Sequence, residues 1–159
     1  MSAVFSSMLA LQFRQAYLGG SWTTIPFVET LEKVTWQEAA FQIQGYNTIV
    51  QLAYHVNYYV HEVGNLLEGK PFTAKDALSF KHPEIQSAAD WEQLVTQIRN
   101  DGDRFIALIE ALTDEQLAGS FIDPKYGTLY RNLVGIIEHL HYHLGQIIFL
   151  KKMIANQQS

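Results

Sequence analysis

Three of the chain's six histidines fall within five residues, in the run Glu138-His139-Leu140-His141-Tyr142-His143-Leu144-Gly145-Gln146. Neutral imidazole is a common ligand for zinc, nickel, copper and iron. On a helix, with about 100° per residue, the apolar stripe Leu133, Ile136, Ile137, Leu140, Leu144, Ile147 centres on Leu140. His143 then lies about 60° to one side of that centre and His139 about 100° to the same side. One turn apart, these two rings could grip one ion. His141 lies about 100° to the other side and cannot join them without unwinding the helix.

A third ligand is available on an earlier apolar stripe, Ile49, Leu52, Val56, Val60, Val63, Leu67. His55 sits at its edge, beside Tyr59, Glu62 and Leu66, matching the edge position of His139 and His143, so the three could converge between two adjacent helices. Three protein ligands would leave coordination positions open, as catalytic sites require. A metal there could lower the pKa of a bound water or polarise a substrate thiol or carbonyl. Glu62 is a candidate base beside such a site or an ordinary solvated helix residue. Tyr59 and Gln146 could also face a cavity. The histidines have an alternative use as hydrogen-bonding core residues. His61 points away from its stripe and is expected in solvent, and His82 lies in a loop beside Pro83 with no evident partner. The Tyr58-Tyr59 pair reads as packing or as part of a helix-to-helix dimer surface.

The elements that must position these residues are helical. Residues 1–18 carry Val4, Phe5, Met8, Leu11, Phe13 and Leu18 at roughly helical spacing and end at Gly19-Gly20. A short helix is expected over about 24–34, with Pro26 in its first turn. Thr35-Trp36-Gln37-Glu38 fits a capping box, which predicts a brief helical turn and then an extended stretch through Gly45. The His55 helix should run over about 47–67 and end at Gly69, with Pro71 beyond it. Residues 69–86 contain Pro71 and Pro83 without a period and read as a loop, able to span roughly 50–60 Å when extended. A helix over about 88–112 follows, with Trp91, Leu94, Ile98, Phe105, Leu108 and Leu112 as its apolar set. Thr113-Asp114-Glu115-Gln116 offers a further cap, and a loop ends near Tyr126-Gly127. The last helix spans about 128–155, where Lys151 and Lys152 would suit the negative end of its dipole. The only strand candidate, Ala40 to Ile43, is too short to build a sheet. Four long amphipathic helices mean an all-α bundle. The long middle loop can run the length of it, so the second and third long helices could be parallel. No repeat or boundary divides residues 1–159.

Composition narrows the function classes. At 159 residues and 48% hydrophobic, the chain can bury a real core. With no cysteine, thiolate metal sites, iron–sulfur clusters and cysteine nucleophiles are excluded. A formal charge of −5 without a basic run argues against nucleic acid as a partner. Nothing approaches a membrane span, and residues 1–18 lack a basic stretch ahead of an apolar run, so a cytoplasmic location is expected.

The chain resembles the DinB-like superfamily, the YfiT-like metalloenzymes. The matching features are Gly45-Tyr46-Asn47-Thr48-Ile49 leading to Leu52-Ala53-Tyr54-His55, then Leu67-Glu68-Gly69-Lys70-Pro71, then His139-Leu140-His141-Tyr142-His143-Leu144-Gly145-Gln146-Ile147. Gly20-Ser21-Trp22-Thr23 and Thr35-Trp36-Gln37-Glu38-Ala39-Ala40 resemble the opening of one branch. The resemblance implies a four-helix bundle of up-down-down-up topology with short accessory helices in the connections. It also implies a divalent metal (zinc, nickel or iron) held by His55, His139 and His143, and a homodimer formed through bundle faces. Characterised relatives include thiol-dependent S-transferases and a thiol-dependent maleylpyruvate isomerase. The motifs carry the metal site and not the substrate pocket. The expectation is therefore a metal-dependent transferase or hydrolase that activates a low-molecular-weight thiol or water against a small molecule. The alternatives are a non-catalytic metal or small-molecule binding protein and a helical interaction module.

Overall fold

In the computed structural model, which describes residues 4–157, four long helices carry the architecture: α1 (Val4–Tyr17), α4 (Ile49–Leu67), α5 (Ala88–Glu110) and α7 (Leu129–Gln157). Short helices α2 (Phe27–Glu32), α3 (Trp36–Ala40) and α6 (Asp114–Ala118) lie in the connections. Residues 1–3, the front of the expected first helix, lie outside the described residues. No strand forms among those described; a single antiparallel bridge joins Ser120 to Thr128.

Side-chain pairings set the helix directions. Phe13 meets Phe105 while Tyr17 reaches Ile98, so α1 and α5 are antiparallel. Asn57 bonds Asp101 and Asn65 bonds Arg104, so α4 and α5 run parallel. His55 packs on His143, and Tyr59 on His139, so α4 and α7 are antiparallel. The order is up-down-down-up. The parallel pair is possible because residues 68–87 return along the whole of α4. That return is pinned by Thr73 Oγ1 to Glu62, the Lys75 amide to Tyr58 Oη, Tyr59 Oη to Asp76, and the Ser79 hydroxyl against His55.

Helix ends follow local chemistry. Thr35 and Glu38 form the expected capping box, and Thr113 with Gln116 forms another. A third, Thr48 with Gln51, starts α4. Gly69, at φ +84°, closes α4 in the left-handed conformation, with the Lys70 amide reaching back to Asn65 O.

The first helix forms where its spacing predicts, whereas Lys151, Lys152 and His61 differ from expectation. On α1 the exposed residues are Val4, Phe5, Met8 and Leu11, whereas Leu9, Ala10, Phe13, Ala16 and Tyr17 are buried. The helix carries apolar residues on opposite faces, and the small residues Ala10 and Ala16 allow the second face to pack closely. Lys151 and Lys152 do not sit at a helix end, because α7 continues to Gln157 without a breaker. His61 is only half-exposed and meets Asp101 Oδ1 at 3.1 Å. It closes a polar network in which Tyr17 Oη donates to Asn57 Oδ1 at 2.7 Å and Asn57 Nδ2 donates to Asp101 Oδ2 at 2.9 Å. Gly102 leaves room for the Tyr17 ring, since a Cβ there would come within 2.5 Å of it.

Candidate metal centre

The seam between α4 and α7 brings His55, His139 and His143 together, with one ring nitrogen of each within 4.8 Å of the others. His55 and His143 are buried, at 6% and 8% exposure, and His139 is partly buried. His55 Nε2 and His139 Nε2 are 3.0 Å apart. With metal–nitrogen bonds of about 2.0–2.1 Å, ligands of one ion sit about 3 Å from each other.

Neighbouring groups decide which nitrogens are free. The Ser79 hydroxyl donates its proton to Asp76 O at 2.7 Å, so at 2.8 Å from His55 Nδ1 it can only accept. His55 therefore carries its proton on Nδ1 and presents a bare Nε2. Gln146 Oε1 lies 2.7 Å from His143 Nδ1 and, as an acceptor, fixes the same tautomer there. This is the outer-shell arrangement that aims imidazole lone pairs at a metal. The Phe80 ring stacks on His55 at 4.2 Å and Tyr59 meets it edge-on, which fixes the plane of the ring.

Burial and then the charge of His143 push His55 down to about 4. Burial, His143 and His55 likewise push His139 down to about 4. Burial lowers His143 too, against the pull of its bond to Gln146. All three rings are therefore neutral at pH 7, as ligands must be. Three imidazoles suit zinc, nickel, copper or iron better than magnesium or calcium, so the donor set fits a transition-metal or zinc ion.

His55 and His139 open onto a cleft of about 620 Å³ that also includes Tyr59, Phe72, Asp76, Phe121, Tyr126, Arg131, Asn132 and Gly135. Two irregular segments wall it. Residues 68–87 bring Phe72 and Asp76. Residues 119–128 are held to α7 by the Leu129 amide on Gly119 O at 2.8 Å, and they bring Phe121 and Tyr126. Phe72 and Phe121 meet edge-to-face and join the two segments.

Residues 9–147 match the family model of the DinB superfamily, which is most of the chain. The chain belongs to the DinB superfamily. No curated protein and no solved structure gives a significant match. In this DinB protein the three histidines singled out by helix face are the three that converge. His141 turns outward, with Nδ1 on Ile137 O at 2.9 Å. His82 Nδ1 lies against Pro83 O at 2.8 Å, its ring near Tyr54. Glu62 is placed beside Thr73 Oγ1, 3.5 Å away, and is not among the residues lining the cleft. Tyr59 lines the cleft, whereas Gln146 bonds His143 and is not among the lining residues. Ser79, Phe80 and Asp76 were not anticipated, because they come from a segment without periodicity. The one sequence signal in that segment is a length sufficient to run along the bundle.

Proposed function

We propose that this DinB protein is a metal-dependent enzyme, a transferase or hydrolase acting on a small molecule. His55, His139 and His143 would hold a divalent ion of the zinc, nickel or iron type. The observation that carries this reading is the convergence of three neutral imidazoles, two with their tautomer set by Ser79 and Gln146, at the edge of a cleft large enough for a small molecule. When bound, such an ion supplies Lewis acidity, which makes a thiol or water nucleophilic near neutral pH or polarises a carbonyl. Membership of a superfamily that includes metal-dependent enzymes supports the same reading.

The chain's own groups supply the rest. Tyr59 Oη donates to Asp76 Oδ1 at 3.1 Å, and burial followed by that bond raises the phenol, so Tyr59 keeps its proton. Asp76 is the carboxylate lining the cleft, and we assign it the proton-accepting role when a thiol or water is activated. Phe72 and Phe121 supply an apolar wall against which a substrate's carbon body can pack. The acidic charge favours small molecules over nucleic acid as partners. The exposed apolar stripe Val4, Met8 and Leu11 on α1 is the surface we assign to a homodimer.

The test is turnover by metal-loaded protein with low-molecular-weight thiols and a panel of electrophiles and esters, beside His139→Ala. Product formed only by the metal-loaded wild type supports the enzyme. Full metal occupancy without any product would make the protein a metal-binding module.

A further inference from the structure

Arg131 is the cation lining the cleft, and a glycine determines where its guanidinium rests. Arg131, Gly135 and His139 recur at four-residue steps along α7 and share one helix face. A Cβ on Gly135 would meet Arg131 Nη1 at 3.1 Å, so the guanidinium lies over the turn that Gly135 leaves bare. That turn is the one immediately before His139, about 5–6 Å away along the helix axis. Phe121 and Ile122 add apolar surface to the same cleft.

Resting on the metal-site reading above, we propose that Arg131 anchors a carboxylate of the substrate. The site then takes a small, apolar-bodied monocarboxylate whose reacting atom lies about one helix turn from that carboxylate. The guanidinium is a planar fork that matches a carboxylate in two parallel hydrogen bonds. In this pose it already pairs with one: Glu138 Oε2 lies 3.5 Å from Nη1, with both side chains about two-thirds exposed (65% and 66%). An exposed pair of this kind is weak, so Glu138 acts as a displaceable placeholder. Asp76, in the same cleft, disfavours a dianion and so selects a carboxylate over a phosphate monoester.

The experiment is a titration of metal-free protein followed by nuclear magnetic resonance, using hexanoate, hexanol and hexyl phosphate. Without metal, no carboxylate can bind through the ion, so the readout belongs to Arg131. Hexanoate should bind at least tenfold more tightly than hexanol, shifting the Arg131 Nε and Gly135 amide signals. Arg131→Gln should abolish that preference, and Glu138→Gln should strengthen hexanoate binding by removing the placeholder. Gly135→Ala should weaken hexanoate binding while raising helix stability, a pairing that a general folding defect cannot produce. Equal binding of hexanoate and hexanol by the wild type, or a preference that survives Arg131→Gln, overturns the anchor. Tighter binding of hexyl phosphate than of hexanoate overturns the carboxylate assignment. These outcomes are independent of metal content: a wild type that binds no metal but keeps the hexanoate preference removes the metal reading and leaves the anchor in place.

Discussion

His55 Nε2 and His139 Nε2 face each other at 3.0 Å across the antiparallel seam of α4 and α7. Because Ser79 holds the His55 proton on Nδ1, the His55 Nε2 lone pair points at its neighbour. Two bare nitrogens at that distance repel, so in the metal-free protein His139 must offer its own Nε2 proton. For His139 Nε2 to serve as a ligand, that proton would have to move to Nδ1 of the same ring, leaving both Nε2 atoms bare for one ion. The pair is therefore arranged for an ion, and Ser79, far from both in sequence, sets the arrangement.

Ser79→Ala should weaken metal binding by about 10–100-fold while leaving the helices intact, because it frees the His55 tautomer and ring without removing a ligand. Competition against a chelator of known affinity checks this, with circular dichroism as the control for folding. Unchanged affinity would show that the loop does not orient the ligand.

The pH dependence has a definite sign. His55 and His139 titrate at about 4 in the folded chain, against 6.5 as the ordinary value. Between those limits the unfolded chain binds more protons than the folded one. Stability of the metal-free protein should be full above about pH 6.5 and decline as pH falls toward 4. Urea midpoints across that window provide the check, and the slope should flatten in the His55→Ala/His139→Ala double variant. The same slope in both proteins would place the titration elsewhere.

Asn57→Ala should destabilise the fold by about 2–4 kcal/mol, since it strips a partner from buried Tyr17 Oη and from the Asp101 carboxylate together. Metal affinity should be unaffected, because this network joins α1, α4 and α5 on the far side of α4 from His139. Urea denaturation and metal titration of one preparation separate the two effects. A loss below about 0.5 kcal/mol would mean that water replaces Asn57.

Met8→Glu with Leu11→Glu should leave the monomer fold unchanged, as both side chains are exposed on α1, and should shift the sedimentation coefficient from dimer to monomer. A wild type that sediments as a monomer at tens of micromolar would remove the assigned surface.

Much of this was legible in the sequence where a helix repeats. The α4 stripe from Ile49 to Val63 is buried residue for residue, and the one-turn spacing of His139 and His143 translates directly into shared helix face. His55 could be chosen from the remaining histidines because it lies at the stripe edge. Helix periodicity does not identify partners from irregular chain. Ser79 and Asp76 reach the site only because residues 68–87 fold back along α4. His61 reads as solvated from α4 alone, since its partner Asp101 is on a helix whose parallel placement the pattern left open. On α1 the spacing predicts the helix but not its buried face, because Val4, Met8 and Leu11 form a second apolar stripe opposite the buried one.

The most direct test of the central claim is the metal content of protein purified without a histidine tag, wild type beside His55→Ala, His139→Ala, His143→Ala and His141→Ala. Close to one zinc, nickel or iron per chain is expected in the wild type and in His141→Ala, with the metal lost from each of the other three. A wild type that is metal-free and takes up no added zinc, nickel or iron, or a His141→Ala variant that loses metal as fully as His139→Ala, would contradict that claim.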